Sequence, residues 1–182
     1  MAFLREADGA FMGFHLLRPF RFFAQALSGE STSKQMAMGF ALGLAVGLIP
    51  KGNLIAIAMM MVLCASRINL GIGLLTVFAV SWAGVFVDPL THRLGAWLLA
   101  HETLVPFWTR FYDMPIAPWT SFNNTVVLGS FVTGLLLIYP VYRLSEPGFA
   151  KYSPVIAERL AKFRFVRFLW GAEWAGKLGS TS

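Results

Sequence analysis

Residues 47–56 read GLIPKGNLIA, and no charge lies on either side of this corner for many residues: MAMGFALGLAVGLIP precedes it and LIAIAMMMVLCAS follows. A single membrane helix cannot pass through Pro50, Lys51, Gly52 and Asn53. The proline lacks an N–H and pushes the residue before it out of helical geometry, and the glycine adds a second break. Each flanking run, taken as a helix, is only roughly 20 Å long, against a hydrocarbon core about 30 Å thick. The corner is therefore the tip of a helical hairpin over about residues 35–66. That hairpin makes either two short crossings or a re-entrant dip from the cytoplasmic side, with Lys51 and Asn53 at or beyond membrane depth. The re-entrant form is the expectation.

Composition agrees with a membrane chain. Of 182 residues, 57% are hydrophobic and only 13% charged, and the mean hydropathy is +0.63, outside the range of ordinary soluble domains. The expected architecture is all-α and polytopic: the broken hairpin, two spanning helices over about 68–87 and 125–142, and amphipathic flanking helices. Three segments follow: a cytoplasmic or interfacial stretch 1–33, a membrane domain 34–143 and a basic amphipathic tail 144–182. Leu16, Phe20, Phe23 and Leu27 share one helical face, as do Ile156, Leu160, Phe163, Val166, Trp170 and Trp174, with basic residues elsewhere, which suits helices lying on a membrane surface. The N-terminus has no clean secretory signal, so targeting falls to the internal helices.

A net charge of +6 could point to nucleic acid, but its distribution points to lipid. With both termini in the cytoplasm, twelve Lys and Arg are cytoplasmic, and only Lys51, Arg93 and Arg110 lie elsewhere. That bias is the positive-inside pattern, with added attraction to anionic phospholipid. Nucleic acid is not an expected partner. Cys64 stands alone, so no internal disulfide is available.

Within the apolar segments, Gly39, Gly43 and Gly47 recur every four residues, as they would at a close helix–helix seam in lipid. SGESTS before Lys34 supplies caps for the helix that follows. Asp88-Pro89 reads as a helix start, with Asp88 as N-cap and Pro89 in the first turn. From Thr103 to Asn124 the chain reads as a loop whose aromatic residues settle at headgroup level. Ser153-Pro154 reads as the start of the tail helix.

The block SGESTSKQMAMGFALGLAVGLIPKGNL, then SRINLGIG, then VFVDPLTHRLG, resembles a domain-of-unknown-function family of small bacterial inner-membrane proteins. The resemblance covers roughly Ser28 to Leu99. It rests on a Gly-rich helix, the Pro-x-Gly corner at Pro50–Gly52, the Arg-x-Asn at Arg67–Asn69 and an Asn-Pro-x-Thr element that appears here as Asp88-Pro89-Leu90-Thr91, with aspartate in place of asparagine. It implies an inner-membrane location and an envelope partner, and it brings no established activity.

Catalytic chemistry finds little footing. His15, His92 and His101 have no second ligand at metal spacing, and no nucleophile elbow, phosphate loop or acidic metal motif occurs. No catalytic, cofactor or metal-binding set is expected. The polar residues at or near membrane depth are the site candidates: Lys51, Gly52, Asn53, Arg67, Asn69, Asp88, Thr91, His92 and Arg93. A helix broken inside a bilayer needs protein or water around its freed backbone, and in carriers such breaks often mark the substrate. The start of the helix after the corner, beside Lys51, would attract an anionic group such as a lipid phosphate.

The leading functional expectation is a non-enzymatic inner-membrane component. It would anchor or work with an envelope protein, or with further copies of itself, in transfer of phospholipid or another amphiphile. A small transporter of an amphiphile or anion that uses the hairpin tip is the alternative, and an accessory to a glycosyl-lipid enzyme is the next.

Overall fold

A computed structural model describes residues 31–162, with side chains to Tyr152. Among these residues the chain is all-helical. The helices are α1 (Ser33–Leu48), α2 (Leu54–Ala65), α3 (Leu70–Ala100), α4 (Val105–Tyr112), α5 (Ala117–Thr120) and α6 (Thr125–Lys162), with a short 3₁₀ turn at Glu102–Leu104.

Helix α1 begins at a capping box. The Gln35 N–H donates to Thr32 Oγ1 at 3.3 Å, and the Thr32 N–H donates to Gln35 Oε1 at 2.9 Å, so each satisfies a backbone donor that the helix leaves unpaired. It ends where Pro50 forces Ile49 into an extended conformation, φ −75° and ψ 125°. Between those ends it is the buried centre of the molecule, with Ala37, Ala41, Ala45 and Val46 fully covered. Helices α3 and α6 pack on it and on each other, while α2 lies at the edge against α1, α3 and α5.

Small residues set the spacing of this three-helix core. The Gly39–Gly43–Gly47 stripe of α1 faces α3. A Cβ on Gly39 would lie 2.6 Å from the Asn69 carbonyl oxygen, one on Gly43 would run into the Gly73 carbonyl oxygen, and one on Gly47 would lie 2.7 Å from Val80 Cβ. Helix α6 meets α3 reciprocally: a Cβ on Gly95 would strike the Thr125 carbonyl oxygen, and one on Gly129 the Thr91 carbonyl oxygen. It meets α1 at Gly134, where an added Cβ would stand 3.0 Å from the Ala45 carbonyl oxygen. Close backbone approach of this kind gives helices packing energy where apolar burial alone does not separate them from lipid.

These contacts fix the directions. Asn69 and Gly73 lie beside Gly39, and Val80 lies beside Gly47, so α3 runs parallel to α1. Gly134 lies beside Ala45 and the Phe149 ring is 6.0 Å from that of Phe40, so α6 runs antiparallel to both. The end of α1 is level with Ser81, whose Oγ donates to the Gly47 carbonyl at 3.3 Å. From there α3 continues for 19 more residues. The hairpin tip thus stands near the middle of α3.

The stretches Leu70–Ala100 and Thr125–Tyr152 are long and apolar enough to cross a membrane. Their outer faces carry bare apolar side chains: Phe78, Trp82, Val85, Phe86 and Leu90 on α3, and Leu136, Tyr139 and Leu144 on α6, with Met61 on α2, are all more than half exposed. Contiguous apolar exposure on this scale marks a surface that something other than water covers.

Several sequence expectations need correction. Helix α3 does not stop at Val87: it continues through Asp88 and Pro89 to Ala100, so Asp88 is not an N-cap. A proline inside a helix removes one hydrogen bond and costs about 3 kcal/mol. Here Pro89 is exposed, and the packing of Thr91 and Gly95 on α6, just beyond it, holds the helix together. Likewise α6 does not end near Tyr142. It runs on to Lys162 through Pro140, Pro147 and Pro154, so Ser153 starts no new helix. The Thr103–Asn124 loop contains α4 and α5. The amphipathic segment at Leu16–Leu27 lies outside the described residues, as does the end of the basic tail, residues 163–182.

Candidate functional site

The corner is built residue by residue. Pro50 ends α1 and leaves its last carbonyls without helical partners. The Lys51 ammonium turns back onto them, donating to Val46 O at 2.7 Å and Ile49 O at 2.8 Å, with Gly47 O at 3.5 Å. A cation at a helix C-terminus also complements the macrodipole. Gly52 takes φ +95°, a left-handed conformation that side chains disfavour. Asn53 then caps α2: its Oδ1 accepts from the Ala56 N–H at 2.8 Å, and its Nδ2 donates to Pro50 O at 2.7 Å.

The second joint repeats the device. Asn69 caps α3, with Oδ1 accepting from the Ile72 N–H at 3.0 Å and Nδ2 donating to Ser31 Oγ at 3.1 Å. Its own N–H donates to the Gln35 carbonyl at 3.2 Å and ties the joint to the start of α1. Arg67 beside it is exposed.

The third group lies on α3 beyond the tip. Thr91 is 2% exposed and packs against Gly129; its Oγ1 donates to the Asp88 carbonyl at 3.1 Å. Exposed His92 reaches α6, with Nδ1 2.6 Å from Thr125 Oγ1. Asp88 is half-buried and Arg93 exposed.

The nine polar candidates therefore form no single site. The corner and the Arg67–Asn69 joint lie at opposite ends of α1, about 24 Å apart by helical rise, and the Asp88–Arg93 group stands above the corner on α3. Gly39 and Gly43 are brought against Gly73 at the seam, and Gly47 against Val77 and Val80.

Sequence reasoning missed Ser81 and Ser130. Ser81, itself exposed, borders the inner face of α3 in the series Val77, Ser81, Gly84, Asp88, Thr91 and Gly95, spaced alternately by four and three. That spacing is readable once α3 is known to be continuous. Ser130 is 1% exposed, and its hydroxyl has no hydrogen-bond partner among the described residues.

The aromatic segment beyond α3 is anchored rather than loose. The Trp108 indole N–H donates to the Leu98 carbonyl at 3.0 Å and satisfies one of the last carbonyls of α3. Phe111, Phe122 and Phe131 continue the contact onto α6, with ring centroids 5.8 and 5.4 Å apart. Burial pushes the Tyr112 phenol above the usual tyrosine range. Phe107, Ile116 and Trp119 remain exposed.

Residues 17–154 match a bacterial protein family described as "Uncharacterized protein conserved in bacteria (DUF2062)". The match covers most of the chain, and the chain belongs to this family. It is also similar to an uncharacterized protein of Treponema pallidum (strain Nichols), 27% identical over 128 residues that cover 70% of this chain and 79% of the relative. No solved structure matches it.

Proposed function

We propose that this member of the DUF2062 family is a non-enzymatic component of the bacterial inner membrane, with both ends cytoplasmic. It anchors or works with an envelope protein in handling phospholipid or another amphiphile. One observation carries the reading: the hairpin tip stands beside the middle of α3, level with Ser81. With α3 and α6 crossing the bilayer, α1 and α2 enter from the cytoplasmic side and turn back at mid-depth. One leaflet then holds four helices. The other holds two, together with the aromatic α4–α5 segment, whose exposed Phe107 and Trp119 suit the interface. A protein with this asymmetric cross-section perturbs the leaflet above its tip, which suits traffic in amphiphiles better than a uniform bundle does.

The polar residues also favour a structural use over catalysis. Lys51, Asn53 and Asn69 spend hydrogen bonds on backbone groups that the breaks in the helices leave open, as broken helices at membrane depth require.

Two measurements test the reading. Exposed Cys64 is first replaced by alanine, and a cysteine is placed at Lys51 in intact cells or spheroplasts. A tip inside the bilayer reacts with a membrane-impermeant maleimide far more slowly than a cysteine at exposed Met114; equal rates mean two full crossings. Two-step affinity purification from mildly solubilised envelopes then yields a second envelope polypeptide in constant ratio. A monodisperse chain that always purifies alone overturns the partnership.

A further inference from the structure

The outer face of α3 repeats a spacing that the inner seams use. Ala79 and Ala83 stand four residues apart, as Gly39 and Gly43 do on α1, and Trp82 and Phe86 complete one helical side at steps of three and four. All four residues are exposed, Trp82 to 74% and Phe86 to 85%. Small residues four apart admit a neighbouring helix at close range, but spacing alone does not choose between a helix and acyl chains.

Two polar groups on this side make the choice. The Trp82 indole lies beside the Phe78 ring, 6.3 Å between centroids, and its N–H meets no acceptor among the described residues. Pro89 is exposed and, lying inside the helix, has no N–H to give to the Val85 carbonyl. No described side chain donates to that carbonyl, and Val85 is itself 70% exposed. Donor and acceptor thus stand on the same open side, their residues about 5 Å apart along the axis. Neither is close to an end of α3: Trp82 lies about 18 Å from Leu70 and about 27 Å from Ala100 by helical rise, and its neighbour Ser81 is level with the end of α1. With α3 crossing the bilayer, as in the function proposed above, both groups face hydrocarbon, away from the headgroup level where tryptophan ordinarily sits. Acyl chains neither accept from an indole nor donate to a carbonyl, and polar groups left unpaired in hydrocarbon are costly.

We propose that this side of α3 docks a spanning helix of the envelope partner, and that this helix presents a hydroxyl or carboxamide side chain at the level of Trp82 and Val85. The inference rests on the reading of the protein as a spanning component that works with such a partner. The chemistry follows from what the two groups lack. Ser, Thr, Asn and Gln both accept and donate, whereas Lys and Arg cannot accept and an ionised Asp or Glu cannot donate. A charge at that depth also adds its own cost. The bare side from Ala79 to Phe86 rises about 10 Å, the width of one helix. A second copy of this chain fits less well. Two copies inserted the same way are related by a two-fold axis along the membrane normal, which sets Trp82 opposite Trp82 and Val85 opposite Val85, donor against donor.

The test puts the photocrosslinking residue p-benzoylphenylalanine in place of Phe86 in the full chain in intact cells. Leu136 on the outer face of α6, 69% exposed, is the comparison position. Illumination at Phe86 should give one protein adduct of defined mass. Peptide mapping should put the joined residue in an apolar spanning segment with Ser, Thr, Asn or Gln within one helical turn. Leu136 should give lipid adducts. Trp82→Phe keeps an aromatic ring and removes the N–H, and should lower the yield of the protein adduct about threefold, the fold-change of one interhelical hydrogen bond. Ala83→Leu should abolish the adduct, with helicity and size-exclusion profile of the purified chain unchanged. Lipid adducts alone at Phe86, an adduct between two copies of this chain, no adduct, or a yield that neither variant moves overturns the proposal. Lipid adducts alone at Phe86 leave the membrane reading standing, because lipid is then what surrounds α3, whereas absence of any adduct at both positions counts against that reading as well.

Discussion

The Lys51 ammonium lies 2.7 Å from the Val46 carbonyl oxygen, so the one charged residue of the corner is directed back at the helix it follows. The anion-attracting element expected from sequence is also a C-terminal clamp. The last carbonyls of α1 need donors, and the Lys51 ammonium supplies them. Replacing Lys51 by methionine keeps the stem and removes the donors. It should destabilise the detergent-solubilised protein by about 1–2 kcal/mol, visible as a lower thermal midpoint, and Lys51→Arg should recover part of the loss.

The three seams make different demands on their glycines. Gly43→Ala drives a methyl group into the Gly73 carbonyl and within 2.9 Å of Thr76 Cβ, and Gly129→Ala drives one into the Thr91 carbonyl. Backbone must move in both cases, and each variant should lose about 1–3 kcal/mol. Gly148→Ala is the control. Its Cβ meets nothing within 4 Å among the described residues, and alanine in a helix is favoured by about 1 kcal/mol, so its thermal midpoint should hold or rise. A uniform response from all three would dismiss the seams.

How far the sequence reveals this molecule depends on what each residue answers to. The corner is legible because Pro50, Gly52 and Asn53 act locally, through ring geometry, a positive φ and a side-chain cap. The Gly39–Gly43–Gly47 stripe is legible as a seam by its spacing, but its partner is not, since nothing in the sequence of α1 says that Asn69 and Gly73 come to lie against it. Asp88-Pro89 misleads because the dipeptide has the local signature of a helix start. The packing of Thr91 and Gly95 on α6 overrides that signature, and packing between distant segments is what a single sequence carries least visibly. The prolines of α6 mislead in the same way.

Asparagine capping gives a prediction with internal comparison. Asn53→Ala and Asn69→Ala each remove an acceptor for a helix N–H and one further bond, to Pro50 O and to Ser31 Oγ respectively. Loss of a cap typically costs about 1 kcal/mol. Each alanine variant should therefore lose on the order of 1 kcal/mol or more by thermal or denaturant unfolding. Asn53→Asp, which keeps the accepting oxygen but loses the bond to Pro50 O, should fall between Asn53→Ala and the unaltered chain.

Ser121 offers the opposite sign. It follows α5 with φ 56° and ψ 29°, in the left-handed region, and is the one non-glycine residue with positive φ among those described. Holding a side chain there costs on the order of 1 kcal/mol. Its position is fixed by neighbours: its N–H donates to the Pro118 carbonyl at 3.3 Å, and its carbonyl accepts from the Asn124 N–H at 2.9 Å. Neither bond uses the serine side chain. Glycine at this position relieves the strain and keeps both bonds, although it also frees the unfolded chain, so the net gain is smaller than the strain itself. Ser121→Gly should leave stability equal or raise it by up to about 1 kcal/mol, whereas Ser121→Val, branched at Cβ, should lower it. Thermal unfolding of the two variants side by side decides, and a valine variant as stable as the glycine variant would show that this turn does not hold its left-handed geometry in the folded protein.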